Sequence, residues 1–182
     1  MNNLINFGGR RNLFLANLSI TLLLVLSFNA RAEIMERTLD NGLHVILKKD
    51  TRAPVVTSHI WYKIGSVDES SGKTGLSHAL EHMMFKGTKK NPGGKFSEVI
   101  SKLGGTENAF TSKDYTAYYQ TLPSQYLEDA IKLESDRMSN LVVSKEDFLK
   151  EIEVIKEERR LRTDDQPEGI AYEQLYASAY NN

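Results

Sequence analysis

The sequence predicts an α+β fold in which helices pack on a mixed, mainly antiparallel sheet. Two stretches of β-forming residues turn back on themselves through short polar turns, which marks hairpins. The segments with helical periodicity come in runs between and after these hairpins, without the strict alternation that a parallel sheet requires. At 182 residues and 40% hydrophobic the chain can bury one core, and no internal repeat is visible.

Residues 1–32 contain no Asp, Glu or Lys. Arg10 and Arg11 precede an apolar stretch from Leu13 to Phe28, and Ala30-Arg31-Ala32 follows as a small-residue cleavage site. Together these predict a secretory signal peptide cut after Ala32. The uninterrupted apolar run is short for a bilayer, so no stable membrane span is expected after cleavage. Residues 33–182 would then form the mature piece, with a formal charge of −4. An exported chain without cysteine suits a bacterial periplasm.

Arg37–Leu39, the turn Asp40-Asn41-Gly42 and Leu43–Leu47 predict the first hairpin. Val55–Val67 is apolar and β-branched enough for another strand. Thr74 is placed to cap a helix running through His82 to about Lys86, with Gly87 as its stop. Phe96, Val99, Ile100 and Leu103 follow helical spacing up to Gly104-Gly105. Thr106–Ser112 and Tyr115–Thr121 predict the second hairpin, closed by Lys113-Asp114. Pro123 and Ser124 open a helix with Leu127, Ala130, Ile131 and Met138 on one face. Ser144 and Asp147 have the spacing of a capping box for a helix striped by Phe148, Ile152 and Ile155. Asp164–Pro167 breaks it, and Pro167 can start another helix.

The composition narrows the chemistry. Zero cysteines exclude disulfides, thiolate metal sites and a thiol nucleophile, so any metal must be held by His, Asp or Glu. A net charge of −1 gives no electrostatic case for nucleic acid. The pentad His78-Ala79-Leu80-Glu81-His82 is the most informative stretch. Residues four apart on a helix share a face, so both imidazoles can meet one ion, with Glu81 on the same stripe as a general base. A bland alternative is two ordinary histidines on an amphipathic helix; Met83 and Met84 beside them read as core. A zinc peptidase needs a third ligand and an open fourth position. The helix beginning after Ser144 offers Glu146, Glu151, Glu153, Glu157 and Glu158, and periodicity does not choose among them. Glu157 or Glu158 could equally pair with Arg160–Arg162.

Gly75–Thr88, which carries the pentad, closely resembles the inverted zinc motif of the pitrilysin-like (insulinase) metallopeptidases, the inverzincins. The resemblance continues through Gly104–Tyr119 and Glu151–Arg159. It implies the metallohydrolase half-domain shared with the mitochondrial processing peptidase. One Zn2+ per chain would be bound by His78, His82 and Glu158, with Glu157 as fallback, and Glu81 would activate water. Glu151 would orient a histidine. The strand carrying Asn108, Ala109 and Phe110 would be a sheet edge that an extended peptide joins. Family members pair such a half-domain with a homologous second half, so the chain resembles the N-terminal part of a catalytic domain. The implied activity is metalloendopeptidase hydrolysis of peptides or unfolded proteins, with the second half supplied in cis or by a partner subunit in trans. The competing class is a non-catalytic peptide-binding or scaffolding subunit on the same fold.

Overall fold

A computed structural model describes residues 33–180. The predicted signal peptide, residues 1–32, lies outside the described residues. The chain divides into two compact units, one ending at Ala53 and the other running from Pro54.

In the first unit, β1 (Ile34–Thr38) and β2 (His44–Lys48) form the predicted antiparallel hairpin. Gly42 adopts φ +85 in the turn, and Asn41 Oδ1 accepts the Leu43 N–H at 3.1 Å.

The second unit is built on a three-stranded antiparallel sheet ordered β3-β5-β4, from β3 (Val55–Tyr62), β4 (Thr106–Thr111) and β5 (Thr116–Pro123). The strand predicted over Val55–Val67 ends early, because Ser66–Asp68 forms a 3-10 turn. Strand β5 lies in the middle, with five of its eight residues buried and the other three half-buried. Five helices follow the predicted order: α1 (Leu76–Met83), α2 (Lys95–Lys102), α3 (Leu127–Asn140), α4 (Lys145–Arg159) and α5 (Pro167–Ala179).

Period-two alternation sorts the sheet residues onto two faces. On one face Leu122 joins Phe96 and Ile100 of α2 and Ala130 of α3 in the core, with Val56 packed against them. The opposite face carries an aromatic layer. Trp61 meets Phe110 and Tyr115 edge-on, at 5.7 and 5.1 Å between ring centroids, and His59 stacks on Tyr119 at 5.2 Å. Ala117, the register partner of Trp61 and Phe110, is fully buried.

The face of α3 differs from its apolar pattern. Ala130 is buried as expected, but Ile131 and Met138 are half exposed, and the buried positions are Ala130, Glu134 and Arg137. Arg137 Nη2 donates to Glu134 Oε2 at 2.5 Å, which also accepts from Gln120 Nε2 at 3.2 Å. The guanidinium stacks over the Phe96 and Tyr118 rings at 4.4 and 4.6 Å. An Arg paired, bonded and sandwiched between aromatic faces can be buried where a Lys could not.

The segment after α1 is tied to α3. Asp136 accepts from Thr88 Oγ1 at 2.5 Å and from Asn91 Nδ2 at 2.9 Å. Gly87 turns the chain at φ +90, and a Cβ there would lie 2.2 Å from Asn91 O. Helix α1 thus ends against a fixed support.

Removing one member of the buried pair strands the other. Glu134→Ala should destabilise the fold by about 3–5 kcal/mol in urea unfolding, and Glu134→Leu with Arg137→Met should recover most of that. A loss below about 1 kcal/mol for Glu134→Ala would mean that the pair is hydrated rather than buried.

Candidate metal centre

The pentad lies within α1, as its spacing predicts, but Thr74 does not cap that helix. Gly75 is the N-cap, at φ 91, and the first free backbone N–H groups are taken by Glu69. Its carboxylate accepts from Gly75 N at 2.6 Å and from Ser77 N at 2.7 Å. A carboxylate at a helix N-terminus satisfies orphan donors and complements the helix dipole. Burial works to raise the Glu69 carboxyl, but the backbone bonds from Ser77 and Gly75 prevail and hold it below the ordinary glutamate value.

Helix α4 begins as expected, with Ser144 Oγ accepting Asp147 N–H at 3.0 Å. The reciprocal half differs from a full capping box, since the Asp147 carboxylate takes the Ser144 hydroxyl at 2.5 Å. No residue of α4 is fully buried. Its half-buried stripe, Phe148, Glu151, Ile152, Ile155 and Glu158, mixes apolar residues with two carboxylates seven apart. Seven residues are two helical turns, so both carboxylates lie on one face.

That face meets the pentad. His78 Nε2 and His82 Nε2 are 3.2 Å apart, and Glu158 Oε2 lies 3.3 Å from the first and 3.5 Å from the second. A tetrahedral ion with ligand bonds of 2.0–2.1 Å requires ligand separations of about 3.3–3.4 Å. Two further observations fit a cation. Glu158 Oε2 is buried without a hydrogen-bond partner among the described residues. His82 Nδ1 faces Glu151 Oε2 at 3.1 Å, so the ring hydrogen belongs on Nδ1 and the Nε2 lone pair points at the triad. Two imidazoles and one carboxylate, all N/O donors, suit zinc.

The other acids of α4 are engaged elsewhere. Glu157 pairs with Arg160 on the exposed side, Glu146 with Lys150 and Glu153 with Lys156. The geometry therefore brings Glu158, not Glu157, to the histidines. Glu151 holds Lys86 with its second oxygen. Burial works to raise the Glu151 carboxyl, but the bonds from Lys86 and His82 outweigh it and keep it below its ordinary value.

Glu81 accepts a hydrogen bond from the Thr111 hydroxyl, at the end of β4. Thr116 lies 3.4 Å from Thr111 Oγ1 and 3.0 Å from the Ile64 carbonyl, so the contact is anchored in the sheet. Asn108, Ala109 and Phe110 sit on β4, which pairs with β5 alone among the described residues. Asn108 Oδ1 accepts Ala109 N–H at 2.8 Å. Glu107 points to the helix side, where burial raises its carboxyl.

Glu69, Lys86 and Thr111 were not singled out by sequence reasoning for the contacts they make, and their partners lie too far along the chain or in loops to leave a local signal. The pairing of Glu158 with Arg162, four residues on, was among the alternatives that the spacing offered, and the structure contains it.

An α+β unit with two histidines and a glutamate poised around one ion position defines a candidate His2Glu metal protein. The chain matches the family model described as insulinase, peptidase family M16, over residues 44–182, and belongs to that family. It is 38% identical over 144 residues to zinc protease PqqE of Helicobacter pylori, covering 79% of this chain and 32% of that protein. It is 32% identical over 149 residues to the uncharacterized zinc protease YmxG of Bacillus subtilis, covering 82% of this chain and 36% of the relative. The human mitochondrial cytochrome b-c1 complex subunit 1 is also 32% identical, over 142 residues, covering 78% of this chain and 29% of that subunit. A crystal structure of a Helicobacter pylori protease superposes with a TM-score of 0.75 at 37% identity, covering 78% of this chain and 34% of that one. The chain thus spans about a third of the length of these relatives.

Two outcomes follow from the geometry. Glu158→Gln should weaken zinc binding at least about tenfold in a chelator competition, while Glu157→Gln leaves it unchanged; the reverse order would move the third donor to Glu157. Because the folded Glu69 carboxyl lies below its unfolded value of about 4.3, its stabilisation is present above that pH and lost as pH falls through the folded value. Glu69→Gln should therefore cost about 1 kcal/mol at neutral pH, and the gap to the parent should close on acidification in urea melts at several pH values. A gap that persists at low pH would contradict the cap.

Proposed function

We propose that the chain carries the zinc-binding half of a metalloendopeptidase that hydrolyses peptide bonds in extended peptides or unfolded proteins. The observation that supports this most is the convergence of His78 Nε2, His82 Nε2 and Glu158 Oε2, the last without a hydrogen-bond partner among the described residues. These three residues would hold one zinc ion. Bound there, zinc supplies a Lewis acid for the scissile carbonyl and lowers the pKa of its water toward neutrality.

The remaining steps belong to the chain itself. Glu81, steadied by Thr111, takes the proton of the attacking water and returns it to the leaving amine. Glu151 keeps the His82 ring turned so that Nε2 faces the site, and Lys86 keeps Glu151 in place. The edge of β4 that is unpaired among the described residues offers main-chain groups around Asn108, Ala109 and Phe110 to a substrate strand. A second homologous half, in cis or from a partner subunit, would close over that strand.

A second reading is favoured by one specific finding, the similarity to a subunit of the cytochrome b-c1 complex. It makes the chain a non-catalytic scaffold or peptide-binding subunit. Zinc separates the two: one chelatable ion per chain belongs to the enzyme and none to the scaffold.

Glu81→Gln should retain the parent's zinc content and lower hydrolysis of an unfolded peptide at least about a hundredfold. A Glu81→Gln protein that cleaves at the parent's rate would remove Glu81 from the role of base.

A further inference from the structure

Glu158 uses its two oxygens differently. Oε2 faces both histidines and has no hydrogen-bond partner among the described residues, whereas Oε1 accepts Arg162 Nη2 at 2.6 Å. A carboxylate can ligate a metal through one oxygen or through both. With two imidazoles already in place, a second Glu158 oxygen would compete for the position that water must occupy.

We propose that Arg162 is a positioning residue that commits Glu158 to the metal through Oε2 alone, and so keeps the fourth position open. This rests on the reading of His78, His82 and Glu158 as a zinc site.

Several features single out Arg162. It follows Glu158 by four residues, so the two side chains are neighbours along the helix surface. The adjacent cations are occupied: Arg159 holds Glu173 and Asp164, and Arg160 holds Glu157 and Asp165. The backbone carrying Arg162 is also held. It lies in a π-helical turn over Arg160–Asp164, where α4 gives way to α5. A Cβ on Gly169 of α5 would lie 2.8 Å from Arg162 O and 2.8 Å from Thr163 Cα, so the helix presses backbone to backbone on the turn. Single π turns of this kind recur at functional sites.

The sign of the electrostatics points the same way. A guanidinium next to a cation position repels the cation, so Arg162 does not serve affinity. Its side chain is 74% exposed, which lets solvent and salt screen that repulsion. What remains is geometric, namely the denial of Oε1 to the metal. Glu151 repeats the device one helical face-repeat earlier, with Lys86 on Oε1 and His82 on Oε2. Both α4 carboxylates that face the histidines thus have their other oxygen anchored by a cation.

The test replaces zinc with cobalt(II), whose visible bands are strongest in a four-coordinate site and drop to an intermediate intensity in a five-coordinate one. It reads coordination number without turnover. The parent chain loaded with one Co2+ should show the intense spectrum. Arg162→Met should still take up one Co2+ but show clearly weaker bands, of the intermediate intensity of a five-coordinate site, as Oε1 becomes free to ligate. Arg162→Lys, which can still hold Oε1, should recover most of the parent's intensity. Raising the parent to about 1 M salt, where an exposed ion pair is screened, should shift its spectrum toward that of Arg162→Met. An Arg162→Met spectrum indistinguishable from the parent's overturns the role of Arg162 and leaves the metal site standing. Failure of the parent itself to take up cobalt overturns the metal site and this inference with it.

Discussion

The contact between α1 and α4 is the constraint on which the site depends. One imidazole pair spans a single turn of α1, and one carboxylate pair spans two turns of α4. Only when the two helices lie in register do Glu151 and Glu158 reach His82 and the His78–His82 gap together. Yet α4 buries no residue fully, so its apolar stripe is a weak anchor by itself. Polar contacts at the site therefore help to hold α4 in place. Metal affinity and helix docking are in this sense one equilibrium, since an ion that bridges the helices stabilises the docked state by its binding free energy.

The sheet provides the fixed reference for the third component. Glu81 is steadied from β4 by Thr111, and Thr111 neighbours Thr116, which is bonded to the Ile64 carbonyl. Strand β5, whose Thr116 and Ala117 are buried opposite Thr111 and Phe110, keeps that end of β4 in place. On the far side of α1, Glu69 closes the helix start and the Thr88–Asn91–Asp136 bonds close its end. A base at Glu81, as proposed, has to be held to within a fraction of an ångström to act, and a short helix tied at both ends and bonded to β4 meets that need.

The parts legible from sequence were those with a local period. The pentad spacing, the hairpin turns and the start of α4 at Ser144 depend on neighbours within a few residues. Glu158 was different, because five glutamates on one helix are equivalent to any periodic argument, and adjacent residues such as Glu157 and Glu158 differ by about 100° of rotation that only tertiary docking resolves. The resemblance to the inverzincins supplied that choice, and the helix contact supplies its physical reason. Thr74 looked like a cap because it precedes the helix, but Glu69, five residues earlier, reaches forward from a loop to do that work. Ile131 and Met138 looked like core because they are apolar. The buried face of α3 instead goes to Arg137 and Glu134, which pair with each other and with Gln120 and so satisfy their charges internally. Contacts such as Thr111 with Glu81 span thirty residues or more and leave no trace in local spacing.

The central claim is that a single zinc position lies between His78, His82 and Glu158. X-ray absorption at the zinc edge of the loaded chain tests it most directly. The chain has four histidines and no cysteine, so the scattering can count imidazoles without interference from sulfur. Two imidazoles, with all ligands at about 2.0–2.1 Å and assignable to N or O, are the expected shell. Three imidazoles, or none, would place the metal elsewhere and contradict the account.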